Sequence, residues 1–368
     1  MNELVGLDMS LAKTRITRTN HKLTNYQTME PTNYHTYDEI KNQTEVWAQA
    51  IEMVRAISLP DSARYEQVIF TGCGSTHYLS LAAAALYQEL TGRAARAVPA
   101  SELLLNPQTV IRRIDSPTLL VAISRSGTTT ETVKAAEKFK SDKRGDVVVI
   151  SNYDEKLSQF ADVNIVIDKG QEESVAQTRS FASMFVAASA FCARMAGRAD
   201  LLDAMCDLPC VGQQLMTKYE SFAEEIGGNL DFDRFYFLGS GMRYGLACEA
   251  NLKMKEMTLT HSEPFHFLEF RHGPMSMANQ NAVVVGLLSD ANRVHEAKVL
   301  SEMGELGATV VGLGESDADI VFESAVPECM RGVLYLPILQ LMAFHRSLAK
   351  GLNPDRPNHL TAVVRLEL

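Results

Sequence analysis

Residues 249–275 contain a dense group of ionisable side chains and read EANLKMKEMTLTHSEPFHFLEFRHGPM. Good helix formers open the stretch, and Glu249, Lys253 and Glu256 follow at spacings of four and three, so all three project from one helix face. The loop predicted behind this helix adds His261, Glu263, His266, Glu269, Arg271 and His272. Carboxylate, lysine and histidine groups of this kind serve general acid–base catalysis. A surface salt bridge beside a solvated loop is the simpler alternative.

A second polar group, from Ser124 to Thr132, reads SRSGTTTET and follows a strand predicted for residues 118–123. At a strand-to-helix junction, hydroxyls, backbone amides and an arginine attract an anion, and the helix dipole adds to this attraction. An N-cap with spare serines is the alternative interpretation. The turn GCGST at residues 72–76 is a similar junction, but it lacks the third glycine of GxGxxG, so no dinucleotide cofactor is expected.

The bulk composition argues against several classes of partner. Of the 368 residues, 46% are hydrophobic, which is enough to fill sizeable cores. The formal net charge of −10 argues against binding to nucleic acid or to an anionic membrane surface. No apolar stretch approaches the roughly 20 residues of a membrane span, and no secretory signal opens the chain, so we expect a cytoplasmic protein. The six cysteines have no metal-ligand or disulfide spacing, so no metal is expected.

The elements that position these groups occur twice. Gly72 and Gly239, each in a glycine turn, lie 167 positions apart. Three later segments in the same order resemble three earlier ones: VVVGLLSDA resembles TLLVAISRS, ATVVGLGE resembles DVVVISN, and ADIVFE resembles ADVNIVID. This duplication of a βαβ-rich unit predicts an α/β protein with two mainly parallel sheets. Only the first copy keeps the anion-binding loop, and only the second keeps the acid–base stretch. The expected units are an N-terminal extension at residues 1–36, a first domain at 37–199, a helical linker at 200–228, a second domain at 229–350, and a tail that closes the site at 351–368.

Four motifs in this order, GCGST, SRSGTTTET, ANLKMKEMTLTHSEPFHFLEFRHGP and GLNPDRPNHLT, resemble those of tandem SIS (sugar isomerase) domains. They are most similar to the isomerase half of glucosamine-6-phosphate synthase and its stand-alone relatives. The resemblance runs from about residue 36 to the end and implies two tandem flavodoxin-like, three-layer subdomains. Because the preceding residues are too few for the glutaminase half of the synthase, glutamine-dependent amination is not expected.

The resemblance also implies roles for individual residues. Glu256 would shuttle a proton between C1 and C2 of a sugar, while Lys253 would polarise or protonate the oxygen that gains charge. His272, in the RHGP motif, would open the sugar ring from a neighbouring subunit, which implies a homodimer. His261 and His266 are expected to be loop or packing residues. The expected substrate-binding residues are Thr76, Ser124, Arg125, Ser126 and Thr129 for the anion, Val175 and Gln177 for the sugar, and also Ser75 and Glu249.

Two positions depart from the synthase pattern. Ala362 stands where the synthase has the lysine that forms a Schiff base, and Arg125 stands where it has glutamine. Alanine forms no imine, so we expect an aldose–ketose isomerase for a hexose with an anion at C6, a phosphate or a sulfonate, without metal or organic cofactor. An amino-sugar-phosphate deaminase or deglycase is the alternative enzyme. A non-catalytic sugar-phosphate sensor is the alternative from another class, although it would not need Glu256, Lys253 or His272.

Overall fold

The computed structural model describes residues 30–111 and 117–367, so most of the expected N-terminal extension, residues 1–29, lies outside the described residues. Each half of the chain forms a five-stranded sheet in which all paired strands are parallel. The first sheet contains β1 (Gln67–Gly72), β2 (Ala95–Pro99), β3 (Thr118–Ser124), β4 (Gly145–Ser151) and β5 (Val163–Val166). The second contains β6 (Arg234–Leu238), β7 (His261–Phe265), β8 (Ala282–Leu287), β9 (Thr309–Gly314) and β10 (Ile320–Val321).

The strand orders are β2-β1-β3-β4-β5 and β10-β9-β8-β6-β7. In both sheets the winding reverses beside the first strand, between β1 and β3 and between β6 and β8. Ligands of open parallel sheets bind in the crevice at the carboxyl ends of strands where this reversal occurs. The predicted duplication therefore gives two crevices with the same topology, and the predicted tandem α/β fold is confirmed.

Twelve α-helices connect the described strands. They are α1 (His35–Lys41), α2 (Gln43–Ala56), α3 (Ser75–Thr91), α4 (Ala100–Leu105), α5 (Pro107–Val110), α6 (Thr130–Ser141), α7 (Arg179–Met195), α8 (Ala199–Ala204), α9 (Leu208–Gly228), α10 (Met242–Thr258), α11 (Arg293–Glu305) and α12 (Leu336–Ala349). None of these helices combines the length and the apolar character needed to cross a bilayer.

Successive side chains of each strand point to opposite faces of its sheet, and this divides the core into an inner part and two outer parts. Val68 and Phe70 of β1 belong to one large cluster that also includes Phe235 and Phe237 of β6, so the inner faces of both sheets share a helical layer. That layer contains α2, α3, α7, α9, α10 and α12. Ile69 points the other way, toward α4 and α6 on the outer face of the first sheet. The outer face of the second sheet packs against α11. Helices from both halves therefore meet between the sheets.

The helices α3 and α10 show the duplication most clearly. Both have 17 residues, and both follow a glycine of positive φ, Gly74 at 56° and Gly241 at 59°, which an L side chain rarely adopts. The two helices also touch closely. A Cβ added at Gly245 of α10 would lie 2.6 Å from the backbone nitrogen of Ala82 and 2.6 Å from the carbonyl oxygen of Tyr78. Glycine is thus required for this approach of the two backbones.

Helices α1 and α2 are separated at Asn42. One local expectation differs from the structure. The loop predicted after α10 begins with strand β7, which escaped detection because it is short and contains Pro264, a residue that an edge strand tolerates. The expected linker at residues 200–228 forms α8 and α9, and α9 packs on α2 and α12.

The close contact of α3 and α10 predicts that one methyl group added at Gly245 lowers the stability of the fold. Gly245→Ala should lower the free energy of unfolding by about 1–3 kcal/mol, because the new Cβ meets backbone atoms that cannot move aside. Gly304→Ala in α11 is the matched control: its Cβ would meet only Val310 Cγ2, at 4.0 Å, and helix propensity should make it neutral or stabilising. Urea unfolding of both variants measures the difference. Equal stabilities would show that the two helices separate without cost.

Candidate active site

The crevice of the first sheet lies at the carboxyl ends of β1 and β3. After β1 the chain makes a tight turn through Cys73 and Gly74 into α3, and after β3 it passes through residues 124–129, the anion loop, into α6. The first amides of a helix have no partner within the helix and carry the positive end of its dipole. Two helix N-termini therefore supply backbone donors to one crevice.

A buried lysine links this crevice to the second half of the chain. Lys253 of α10 is only 1% exposed, and its Nζ lies 3.2 Å from Ser75 Oγ at the start of α3. It also lies 3.2 Å from Glu249 Oε1 and donates a hydrogen bond to Glu256 Oε1. These four residues, Ser75, Glu249, Lys253 and Glu256, form the buried ion cluster. The spacing of the three ionisable residues was predicted, whereas their contact with Ser75 was not.

The electrostatics of the cluster distinguish its two carboxylates. Burial raises the pKa of Glu249 to about 7; the charge of Lys253 opposes this shift and that of Glu256 adds to it. Burial disfavours the charged form of Lys253, but Glu249 and Glu256 outweigh it and raise the lysine pKa. The Glu256 side chain is 15% exposed against 2% for Glu249, so Glu256 is the carboxylate that a ligand can reach.

The anion loop keeps two hydroxyl hydrogens uncommitted. Ser124 Oγ accepts a hydrogen bond from the Gly127 N–H at 3.2 Å and donates to Thr129 Oγ1 at 3.4 Å. Ser126 Oγ accepts from the Thr128 N–H, also at 3.2 Å. The hydroxyls of Ser126 and Thr129 therefore act as acceptors within the loop, and each retains a hydrogen to donate. Together with the amides at the start of α6, they suit an anionic group.

Two other expected anion ligands make bonds to the backbone. Thr76 Oγ1 accepts from the Cys73 N–H at 2.9 Å and donates to the Cys73 carbonyl at 3.0 Å, which stabilises the turn before α3. Arg125 as a residue is 6% exposed, and its guanidinium donates to the carbonyl oxygens of Val175 at 2.9 Å and Ala362 at 2.8 Å. Both side chains border the crevice, but their donors are directed at main-chain oxygens.

The two residues expected to touch the sugar lie in the loop before α7. The Val175 N–H donates to the carbonyl oxygen of Asp355 at 2.9 Å, so this loop contacts the C-terminal tail. Gln177 Oε1 is buried, and no described group donates a hydrogen bond to it. An acceptor without a partner in a buried position is available to a hydroxyl of a ligand.

Sequence reasoning missed the residues that fix this loop. The Glu39 carboxylate accepts from the Glu173 N–H at 2.6 Å and from the Ser174 N–H at 3.2 Å, and Glu172 accepts from the Thr178 N–H at 2.8 Å. Glu39 lies in α1, 134 positions before Glu173, and nothing in the local sequence indicates the pairing. The run of two glutamates before Ser174 resembles an ordinary solvated loop.

None of the three histidines of the acid–base stretch forms a hydrogen bond or ion pair with the described residues of the buried ion cluster. His272 is exposed, in the turn after a short 3₁₀ helix (Glu269–Arg271) whose Phe270 packs on the outer face of the second sheet. No described side chain of the same chain forms a hydrogen bond or ion pair with its imidazole. His266 stacks on Tyr244, with 3.9 Å between ring centroids, and burial lowers its pKa. His261 is exposed on β7.

At the crevice of the second sheet, polar donors are paired with carboxylates of the chain itself. Glu296 Oε2 accepts from the backbone N–H and the hydroxyl of Ser289, at 2.6 and 2.9 Å, just beyond the carboxyl end of β8. Arg243, in the first turn of α10, donates to Glu328 Oε1 at 2.8 Å. Carboxylates of the protein thus accept hydrogen bonds from donors of the second crevice. In the first crevice the hydroxyls of Ser126 and Thr129 keep a hydrogen to donate.

No group of three or more His, Cys, Asp or Glu residues within the described ranges is arranged to hold a metal ion. All six cysteines are free thiols. The described residues that line the first crevice offer hydroxyls, amides, carboxylates and a lysine.

Several known proteins are similar to this chain. The glutamine–fructose-6-phosphate aminotransferase of Methanothermobacter thermautotrophicus is 27% identical over 340 residues, which cover 89% of this chain and 55% of that protein. The enzyme of the same name from Gloeobacter violaceus is 30% identical over 329 residues, covering 83% of this chain and 52% of that protein. The chain thus spans about half the length of these curated relatives.

Solved structures have the same fold. A glucosamine-6-phosphate deaminase from Thermotoga maritima superposes with a TM-score of 0.77 at 24% identity, covering 90% of this chain and 100% of that one. A tagatose-6-phosphate ketose/aldose isomerase from Escherichia coli gives a TM-score of 0.79 at 23% identity, covering 90% and 98%. The sequence pattern of the SIS domain matches residues 63–194 and 231–335, one segment in each half. This chain therefore belongs to the SIS domain family, with two such domains in tandem.

Proposed function

We propose that this protein is an aldose–ketose isomerase acting on a hexose with an anionic group at C6, a phosphate in the first instance and a sulfonate as the other candidate. The observation that carries the proposal is the buried ion cluster, which lies at the N-terminus of α3 beside the anion loop. The names of the similar proteins, which include fructose-6-phosphate and tagatose-6-phosphate, support a sugar phosphate as the substrate.

The anionic end of the sugar binds at the anion loop in this proposal. Ser126 and Thr129 supply hydroxyl donors, Ser124 orients Thr129 through its hydrogen bond and borders the anion, and the start of α6 supplies amides. The protein carries a formal net charge of −10, so this local concentration of donors has to overcome an overall repulsion of anions. Gln177 offers its unpartnered oxygen to a sugar hydroxyl, and Val175 contacts the sugar from the same loop.

Glu256 is the proposed base. Interconversion of an aldose and a ketose through an enediol needs one group that removes the proton from C2 and returns it to C1. The hydrogen bond from Lys253 orients the Glu256 carboxylate, and its 15% exposure leaves it accessible. Lys253 then stabilises the oxygen on which negative charge develops, an interaction that strengthens in a site shielded from water.

The tail and His272 complete the proposal. Ala362 lies against Arg125 beside the anion loop and carries no amine, which favours proton transfer over chemistry that depends on an imine. His272, exposed in its own chain, is proposed to open the sugar ring of a neighbouring subunit in a homodimer. The mechanism uses only protein side chains.

Exchange of hydrogen for deuterium tests the role of Glu256. Proton NMR in D₂O with hexose 6-phosphates, their 2-amino analogues and a hexose 6-sulfonate should show deuterium at C2 and a ketose product for one of them. Glu256→Gln should slow both signals by roughly 100-fold or more, because the amide cannot accept the proton. Glu89→Gln is the matched control, since Glu89 holds the same position in α3 that Glu256 holds in α10.

The other outcomes of this experiment point to other functions. Release of ammonia from an amino sugar, measured in the same samples, would make the protein a deaminase. Saturable binding with no turnover across the panel would favour a sensor. Full exchange in the Glu256→Gln variant would assign the base to another residue.

The raised pKa of Glu249 predicts a dependence of stability on pH. Because the pKa in the folded state is about 7 against an ordinary 4.5, the folded protein binds this proton more tightly, and the associated stability is lost as pH rises from about 5 to about 7.5. Glu249→Gln has no carboxyl at this position, so its stability does not contain this pH-dependent contribution. The free energy of unfolding of the wild type relative to this variant should therefore fall on the order of 1–2 kcal/mol between pH 5.5 and pH 8.

Urea unfolding of both proteins at the two pH values measures this difference. Lys253 does not interfere, because its pKa is raised and it stays charged throughout this range. A pH-independent difference between the two proteins would show that Glu249 is ionised at both pH values, and would remove it as a group that exchanges protons in the site.

A further inference from the structure

Arg125 links three parts of the chain through its guanidinium group. Nη1 donates to the carbonyl oxygens of Ser174 at 3.3 Å and Val175 at 2.9 Å, and Nη2 donates to the carbonyl oxygen of Ala362 at 2.8 Å. Glu172 Oε2 lies 3.6 Å from Nη1, and its side chain is fully buried. The arginine, at the end of β3, thus contacts both the loop at residues 172–178 and the C-terminal tail.

The loop at residues 172–178 is fixed from its other side. Glu39 and Glu172 accept its backbone N–H groups and the hydroxyls of Ser174 and Thr178. Two of the carbonyl oxygens that Arg125 contacts therefore belong to a segment that these carboxylates hold without the end of the tail, residues 359–367. This makes the loop a firm support for the guanidinium.

The tail is attached at Asp355, whose carboxylate accepts from the N–H groups of His35 and Thr36, but its end from residue 359 has far fewer attachments. Residues 359–362 and 364–367 are exposed. Beyond the Arg125 contact at Ala362, the Leu366 N–H donates to Thr130 Oγ1 at 3.0 Å. Arg125 and Thr130 flank residues 126–129, so the two bonds attach the tail on both sides of the anion loop. Residues 362–366 form a wall beside the site that depends on these bonds.

We propose that Arg125 is a positioning residue, which holds the tail as a wall of the site, and that the hydroxyls and amides of the anion loop bind the anion without it. The proposal rests on the proposed function for the identity of the ligand. A planar guanidinium serves three carbonyl oxygens at fixed angles, which a lysine ammonium cannot reproduce although it has the same charge. Moving the guanidinium toward an anion would instead strain its bonds to these three carbonyl oxygens.

Millisecond hydrogen–deuterium exchange of the full chain tests the positioning role. In Arg125→Lys and in Arg125→Gln, exchange in the peptide containing Leu366 should rise at least about 10-fold, because both substitutions release Ala362. Arg198→Lys is the matched control, since Arg198 lies on the surface and pairs with Asp200, and it should leave this exchange unchanged. Wild-type exchange in Arg125→Lys would overturn the proposal, because charge alone would then hold the tail.

Inorganic phosphate separates positioning from binding. Calorimetric affinity for phosphate should change less than about threefold in Arg125→Lys, whereas Ser126→Ala should weaken it several-fold and leave tail exchange at the wild-type rate. A large loss of phosphate affinity in Arg125→Lys, with a tail that exchanges normally, would make Arg125 an anion ligand and overturn the proposal.

The wild-type chain gives a test that no folding defect can obscure. Saturating phosphate should leave exchange at Leu366 unchanged or slower, because Arg125 stays on Ala362 while the loop binds the anion. Faster exchange would mean that the anion draws Arg125 away from the tail, which contradicts the proposal. None of these measurements uses turnover, so their failure is distinguishable from a failure of the isomerase assignment.

Discussion

A lysine ammonium that is almost wholly removed from water has to be neutralised where it stands, because the cost of burying an unpaired charge exceeds the stability of most domains. Lys253 satisfies this requirement with two carboxylates from its own helix and a hydroxyl from the other half of the chain. The two carboxylates would repel each other without the lysine. The close approach of α3 and α10 at Gly245 is what brings Ser75 within reach.

This constraint also separates the tasks of the surrounding side chains. Thr76 and Arg125 donate hydrogen bonds to carbonyl oxygens of the turn, the loop and the tail. Ser126 and Thr129 keep a donor each. Thr76 and Arg125 thus hold the backbone rigid, while the hydroxyls of Ser126 and Thr129 and the helix amides remain directed at the crevice. A site of this kind is preorganised, since its donors need not leave a partner of their own before binding.

The sequence was most informative where a signal is local. The strand at residues 118–123, the glycine turns and the spacing of Glu249, Lys253 and Glu256 follow from short-range patterns, and the structure has them as predicted. Contacts between distant residues could not be predicted. Lys253 meets Ser75 across 178 positions, and Arg125 meets Ala362 across 237. The direction of the Arg125 side chain was unpredictable for the same reason, because an anion and a carbonyl oxygen attract a guanidinium alike.

The paired donors of the second crevice bear on how the duplicated halves depend on each other. Glu296 and Glu328 accept hydrogen bonds from Ser289 and Arg243 there, so these donors are engaged within the chain. The first half keeps its crevice open but has Leu86, not a lysine, at the position in α3 that matches Lys253 in α10. Neither half carries a complete set of groups. The two units are therefore unequal: Lys253 comes from one and the hydroxyl of Ser75 from the other, so separating them would leave a buried cation without one of its partners.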